Sequence, residues 1–333
     1  MVNRTATSAL FGFDFQANAA IVLMLENIKD MVNIRLEGAE DIEINLENGS
    51  CVLAQAKSVV NSSTDFSNVI TKLKDAIISL SEAYNKSSTT VKELIYITNT
   101  PNPFNEPQLN TIFYGTAQRG YDTLPQSLKD RVLEITSNIK QPLDTSKFKI
   151  QILPFETDND KERYKCVMEA VGDFISLLGN IPISKNDLHR IWSYDIFKSG
   201  TKRDSNIKLS KNDIIWPIIV LITNNDNYDD DELDESEVAE ISRAYKEFIS
   251  TCTERYEFVT KILSAYNEFR IDLKPKERKY NFIQSESRNY LSLFEDSDIT
   301  ISEEIQEKLM QIIIRNILNQ RIQINNIKSA VNL

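Results

Sequence analysis

Along the first half of the chain the hydrophobic period changes repeatedly. Residues 13 to 31 are apolar on most sides, with Gln16, Asn18 and Glu26 interspersed, which predicts a largely buried first helix lying against a sheet. Asp41 to Leu46 then alternates acidic or amide residues with Ile42, Ile44 and Leu46, the period of a half-buried strand. Asn48-Gly49 supplies a hairpin turn, and the return strand, Cys51 to Val59, is almost continuously small and apolar apart from Gln55 and Lys57. From about residue 65 to 86 the spacing of Phe66, Val69, Ile70, Leu73, Ile77 and Leu80 predicts an amphipathic helix with Thr64 or Asp65 at its cap. A buried strand at Leu94 to Thr98, a helix near 125 to 140 and a strand at Phe148 to Leu153 complete an αββαβαβ-like order. The predicted class is α/β (α+β), a mixed sheet flanked by helices over residues 1–155. Beyond residue 156 the long helical patterns at 159 to 179, 236 to 270 and 301 to 328 predict a mostly helical domain over 156–333. The last of these puts Ile305, Leu309, Ile312, Ile313 and Ile317 on one side, a stripe that closes the domain's own core or docks a partner.

Composition narrows the chemistry. The 333 residues are 41% apolar and 26% charged, as in a soluble globular protein of about two domains. With 38 basic and 49 acidic side chains the formal charge is −11, so any contact with nucleic acid must be local. Cys51, Cys166 and Cys252 are too few and too far apart for a disulfide framework or a zinc site, which points to a reducing cytoplasm. The only histidine, His189, excludes Ser-His triads and histidine-metal nucleases within one chain, and beside Arg190 and Trp192 it reads as structural. Glycine-rich phosphate cradles are absent. Asp14 and Glu26 inside the most apolar N-terminal stretch argue against a signal peptide. The apolar run Ile214 to Ile222, interrupted by Pro217, is far too short to span a bilayer. No membrane partner is expected.

The hairpin carries the strongest chemical signal. A three-residue loop, Asn48 to Ser50, sets Glu47 opposite Cys51, Asp41 opposite Lys57 and Glu43 opposite Gln55, so that a carboxylate, an amide and an ammonium converge. Gln55 and Lys57, two apart, share a face. Asp41 offers a hard anionic oxygen and Gln55 a neutral one to a divalent ion, with waters and substrate phosphate completing the octahedron that Mg²⁺ prefers. Lys57 then steadies the attacking water or the charged transition state, which suits phosphodiester hydrolysis without histidine. A Lys across from an Asp is equally the ordinary half-exposed ion pair of a sheet, worth at most about 1 kcal/mol.

Asp41, followed after thirteen residues by Gln55-Ala56-Lys57, resembles the PD-(D/E)XK nuclease core with glutamine at the (D/E) position. Upstream, Gly12-Phe13-Asp14-Phe15-Gln16 is similar to the segment that opens the first helix in the restriction-type branch. Together with Glu37-Gly38-Ala39-Glu40-Asp41-Ile42, the series looks like the double-stranded-DNA endonuclease domain of bacterial anti-phage systems. Those domains occur in CBASS effectors and in nuclease subunits of Lamassu, or ABC-three-component, systems. The resemblance implies a restriction-endonuclease-like sheet, Asp41 as principal metal ligand, Gln55 as the second position and Lys57 as the catalytic lysine. It also implies Gln16 near the metal and an assisting ligand from Glu40 or Glu37. The implied cofactor is Mg²⁺ or Mn²⁺.

The expected function is a cytoplasmic anti-phage effector that cleaves double-stranded DNA under the control of partner proteins. In the Lamassu-like arrangement an SMC-like ATPase and a small accessory subunit hold the nuclease, and release permits assembly into an active homo-oligomer. A CBASS-type effector, or a catalytically inactive adaptor that binds the ATPase, are the alternatives. Two basic stretches, Lys198 to Lys211 and Arg270 to Lys279, with five Lys or Arg each, can contact phosphate backbone, although solvated helix ends are the default reading. The acidic run Asp229 to Glu237 reads as a solvated loop.

Overall fold

A computed structural model describes residues 4–137, 139–156, 158–179, 181–202, 204, 207–223, 240–241, 243–245, 248, 255–294 and 301–333. The chain divides into two compact units, residues 1–175 with 184–211, and residues 176–183 with 212–333. The acidic run Asp229 to Glu237, Cys252 and most of the pattern between 236 and 254 lie outside the described residues.

In the first unit, helix α1 (Arg4–Asn27) leads into β1 (Met31–Leu36), β2 (Ile42–Leu46) and β3 (Ser50–Lys57). Helix α2 (Val69–Lys86) and β4 (Thr90–Thr98) follow, then β5 (Gln118–Gly120), α3 (Gln126–Ser137) and β6 (Phe148–Ile152). Helices α4 (Asp160–Arg163), α5 (Lys165–Leu177) and α6 (Lys185–Gly200) precede β7 (Leu209–Ser210). The strands form one sheet in the order β5-β6-β4-β3-β2-β1-β7. The β3–β4 and β4–β6 pairs are parallel and the rest antiparallel, so the sheet is mixed, as expected. Helices α2 and α3 cover the face that carries Leu53, Leu94, Tyr96 and Ile150. Helix α1 lies on the other face, where Gln151 donates to Glu26 at 2.8 Å.

Several elements differ from the sequence reading. The first helix stops at Asn27, and the segment Met31–Leu36 is a strand, giving three consecutive strands instead of two. Its buried positions, Met31, Ile34 and Leu36, are interrupted by a bulge, which breaks the two-residue alternation. Strands β5 and β7 have three and two residues, too short for a period to register. Helix α2 starts at Val69, because the Asp65 carboxylate accepts from the backbone N and hydroxyl of Ser67 and closes a turn before the helix.

Helix α1 is apolar and long enough over Ala6–Asn27 to cross a membrane by length and composition, yet 61% of that window is buried inside the protein. Phe15, Ala19, Ala20, Ile21 and Leu23 are wholly enclosed, as in the core helix of a sheet layer. Pro217 sits inside helix α7 (Lys211–Thr223), so the apolar run around it is helical.

The second unit contains α7 from Asn212 onward, α8 (Arg255–Glu268), α9 (Pro275–Glu286), α10 (Glu303–Asn319) and α11 (Arg321–Val331). The expected final helix is thus two helices divided at Gln320. All five residues of its apolar stripe are buried, which supports the core-closing reading. Both described cysteines, Cys51 and Cys166, are free.

Because α2 has an enclosed apolar face against β3 and β4, Leu80→Ala removes a side chain with no solvent exposure. We expect a loss of about 2–5 kcal/mol, read as a lower urea midpoint at unchanged slope.

Candidate active site

The β2–β3 hairpin sets the site. Its loop is Glu47-Asn48-Gly49: Gly49 has φ +77°, and the Asn48 side-chain Oδ1 accepts from the backbone N and the hydroxyl of Ser50, at 2.9 and 2.6 Å. The ladder pairs Asn45 with Cys51, Glu43 with Leu53 and Ile42 with Ala54. This corrects the predicted register by two positions. Glu47 lies in the turn, Glu43 faces Leu53 instead of Gln55, and the next step outward brings Asp41 opposite Gln55 instead of Lys57. A shift of two keeps every side chain on its face, so the expected group still assembles.

Asp41 is at its centre. One carboxylate oxygen, Oδ2, accepts from the Gln55 amide and from the Ala56 backbone N at 2.9 Å, and lies 3.9 Å from the Lys57 ammonium. The other oxygen, Oδ1, accepts no hydrogen bond from a described residue. Nor does Gln55 Oε1, since the amide presents Nε2 to Asp41. Burial raises the Asp41 pKa, opposed chiefly by Lys57 and the Ala56 N–H.

Gln16 does not reach the Asp41 side chain. From α1 it donates to Glu37 Oε1 at 2.8 Å and to the Asp41 backbone carbonyl at 3.1 Å, and so ties down the bend from Glu37 to Asp41. Glu37, in that bend, has φ +52°. Glu40 turns toward α2, where the Ser79 hydroxyl donates to its carboxylate at 2.8 and 2.9 Å. Burial pushes its pKa up to about 7, with repulsion from Asp41 adding to the rise. It is therefore a partly protonated carboxyl at neutral pH, a weaker candidate ligand than the resemblance implied.

Two neighbours on α2 escaped the sequence reading. Besides Ser79, Lys72 donates from Nζ to the Ser58 carbonyl just beyond β3, and burial followed by repulsion from Lys57 lowers its pKa. On α2 they occupy polar positions among apolar ones, which sequence alone assigns to solvent. The carboxyl ends of the parallel strands are fastened by buried Asn99. Its amide accepts from Val59 N at 2.8 Å and donates to the carbonyls of Val59 and Phe155, at 2.8 and 2.6 Å.

A second polar network lies along α1. Asp14 accepts from the Tyr164 hydroxyl at 2.9 Å and from Asn18 at 3.0 Å, and pairs with Arg163 at 3.5 Å. Asn18 Oδ1 faces His189 Nε2 at 2.7 Å. His189 is buried, and burial lowers its pKa, so it is the structural histidine expected.

Among the described residues no three His, Cys, Asp or Glu side chains converge as a metal cage. Asp41 Oδ1 and Gln55 Oε1 nevertheless fit a hard divalent ion that keeps several waters and shares ligands with a bound phosphate.

No family model and no curated protein matches this chain. Among solved structures, the Acinetobacter baumannii Cap4 SAVED/CARF-domain containing receptor with the cyclic trinucleotide 3'3'3'-cAAA is 14% identical, with a TM-score of 0.39. The match covers 86% of this chain and 59% of that one, so the chain spans less than two thirds of the length of that structure.

The Glu40 carboxyl yields a prediction with a definite sign. Its pKa is higher in the folded than in the unfolded state, so the folded chain holds the extra proton between about pH 4.5 and 7, and stability falls as pH rises through that window. Glu40→Gln removes this penalty. We expect stabilisation on the order of 1–3 kcal/mol at pH 8 and little at pH 4, read by urea unfolding at both.

Proposed function

We propose that this protein is a metal-dependent endonuclease that hydrolyses phosphodiester bonds in double-stranded DNA as an effector of bacterial anti-phage defence. The observation that carries the reading is the convergence of Asp41, Gln55 and Lys57 at the open end of one hairpin, with Gln16 holding the bend that presents Asp41. The order of these residues resembles the PD-(D/E)XK core.

In this reading Asp41 and Gln55 hold Mg²⁺ or Mn²⁺. The ion supplies Lewis-acid polarisation of the phosphate and lowers the pKa of a bound water. The residues of the chain prepare that site. The Gln55 amide and Ala56 N–H occupy Asp41 Oδ2, which leaves Oδ1 as the anionic oxygen for the ion. The Lys57 ammonium, a third exposed, donates to a water or to a phosphate oxygen as negative charge grows there. Lys72 adds a second positive charge near Lys57 that attracts the scissile strand.

Control by an SMC-like ATPase and a small accessory subunit, assembly of a homo-oligomer and a cytoplasmic location follow from the Lamassu-like resemblance and are part of the proposal. A CBASS-type effector shares the same nuclease chemistry.

Purified protein, once assembled, nicks plasmid with Mg²⁺. Lys57→Ala lowers the rate by about 10²–10³-fold without unfolding the chain, as circular dichroism checks. Undiminished cleavage by that variant would falsify the assignment.

One observation favours a second reading, a nuclease-fold adaptor without catalysis: Asp41 alone among the described carboxylates faces the metal position, while Glu40 turns away to Ser79 with its pKa pushed up to about 7. Calorimetric titration with Mn²⁺ separates the two. An assembled wild type that neither binds the ion nor cuts DNA is the adaptor.

A further inference from the structure

The helical unit gathers three cations, Arg278, Lys279 and Arg321, that no described carboxylate pairs with. Arg278 donates from Nε and Nη2 to the carbonyls of Phe269, Tyr266 and Asn267, and so closes the C-terminal end of α8. Its guanidinium lies 4.5 Å from the centroid of the Tyr266 ring, and that of Arg321, the first residue of α11, lies 5.5 Å from the same ring. From α9, Lys279 donates to Asn319 Oδ1, two residues before Arg321. One tyrosine and one asparagine therefore bring positive groups from two helices to one place. None of Arg278, Lys279 and Arg321 pairs with a carboxylate among the described residues. Elsewhere in the same unit Arg270, Arg288 and Lys308 each have one, in Asp272, Glu307 and Glu304. Burial, and then repulsion from Arg315 and Arg321, lowers the Lys279 pKa, which puts Lys279 and Arg321 within electrostatic reach of each other.

The basic run Arg270 to Lys279, which the sequence leaves between phosphate contact and solvated helix end, thus divides. Arg270 pairs with Asp272 and Arg278 serves as a cap, while Lys279 joins Arg321 across the fold. Arg321 is solvent-exposed and keeps a planar fork of N–H donors, and Lys279 keeps donors beyond the one given to Asn319. A lone carboxylate offers two oxygens to such a group. A phosphate offers more acceptor oxygens, matches the guanidinium fork and relieves the repulsion between the cations.

We propose that Lys279 and Arg321, framed by Asn319 and Tyr266, form a phosphate-binding site in the helical unit that takes the phosphodiester backbone of DNA. No base-reading arrangement accompanies it, so the contact is independent of sequence. The site stands apart from the hairpin chemistry and does not require that the chain cut DNA.

The test is polarisation of a labelled duplex bound by the full chain in EDTA, where no cleavage intervenes, paired with thermal-shift titration by inorganic pyrophosphate. Lys279→Gln with Arg321→Gln is expected to weaken duplex binding about tenfold and to lower the slope of log K against log salt by about 1.8, or 0.9 for each lost contact. Arg321→Lys combined with native Lys279 restores most of that slope. If the double variant loses the pyrophosphate shift but holds the duplex as wild type does, the phosphate site stands and its ligand is a free phosphate compound. If duplex affinity, salt slope and pyrophosphate shift all stay at wild-type values in a variant whose circular dichroism is native, the proposal is overturned. Because binding is read without turnover, failure here leaves the Lys57 result untouched, and failure there leaves this one.

Discussion

A strand places its side chains by parity, and in this protein that parity decides whether there is a site at all. Asp41, Gln55 and Lys57 meet because the Glu47-Asn48-Gly49 loop holds β2 and β3 in an even offset. The left-handed Gly49 and the Asn48 side chain bonded to Ser50 make that loop. A slip of one residue would carry Gln55 and Lys57 through the sheet to the face covered by α1, among Phe15 and Ala19, and leave Asp41 behind. The cost of burying an ammonium there is what excludes the alternative register. The same constraint orders the neighbours, since β3 pairs in parallel with β4 and sets Gln55 beside Tyr96 and Lys57 beside Thr98. The Thr98 hydroxyl then donates to the Lys57 carbonyl at 2.7 Å, which fastens the end of β3 where its side chains are needed.

This parity explains what was legible in the sequence. Alternation in β2 and the near-continuous apolar β3 marked a hairpin, and an error of two in its register was harmless because it preserved the faces. The class of the sheet and the helical character of the second half were legible for the same reason, as periods sustained over many residues. Strand β1 was not, because its bulge and its position after an unbroken apolar helix hid the change of period. Gln16 was expected beside a metal, and its actual partners, the Asp41 backbone carbonyl and Glu37, depend on a bend that no local pattern encodes. Lys72 and Ser79 were invisible for a tertiary reason: on a helical wheel they face solvent, and only the packing of α2 beside the end of β3 brings them to Ser58 and Glu40.

The electrostatics of the site turn on how the three carboxyls of the Glu37–Asp41 bend are held. Glu37 accepts from Gln16, burial pushes the Glu40 pKa up to about 7, and burial raises the Asp41 pKa against the opposing pull of Lys57 and the Ala56 N–H. A proton held on this bend lessens its repulsion of a phosphodiester, and Lys57 and Lys72 offset part of what remains. In the proposed reading, the scarcity of anionic ligands, which weakens the hold on an ion in the free protein, is the condition under which a polyanion approaches, and its own phosphate oxygens complete what the chain leaves out.

The same reasoning applies to an acidic chain as a whole. At a net charge of −11 basic side chains are outnumbered, and several of those described are committed within the fold. Lys149 pairs with Glu93 at 2.7 Å, Lys208 with Glu43 at 3.5 Å, and nearly enclosed Lys211 donates to Glu47 at 2.9 Å and to the Lys29 carbonyl at 2.8 Å. Within the basic stretch Lys198 to Lys211, Lys208 and Lys211 are therefore structural, fastening β7 and the residue after it to the sheet. Charge beyond roughly 8–10 Å is screened at physiological salt, so what a DNA backbone meets is the local balance and not the total. Lys72 donates to a backbone carbonyl, and Lys279 and Arg321 are held by an amide and an aromatic face, so none of the three is fixed by an ion pair with a described carboxylate. Neutral partners of this kind fix a cation's position without cancelling its field, which is how a protein of this composition can remain repulsive overall and still present phosphate-binding points.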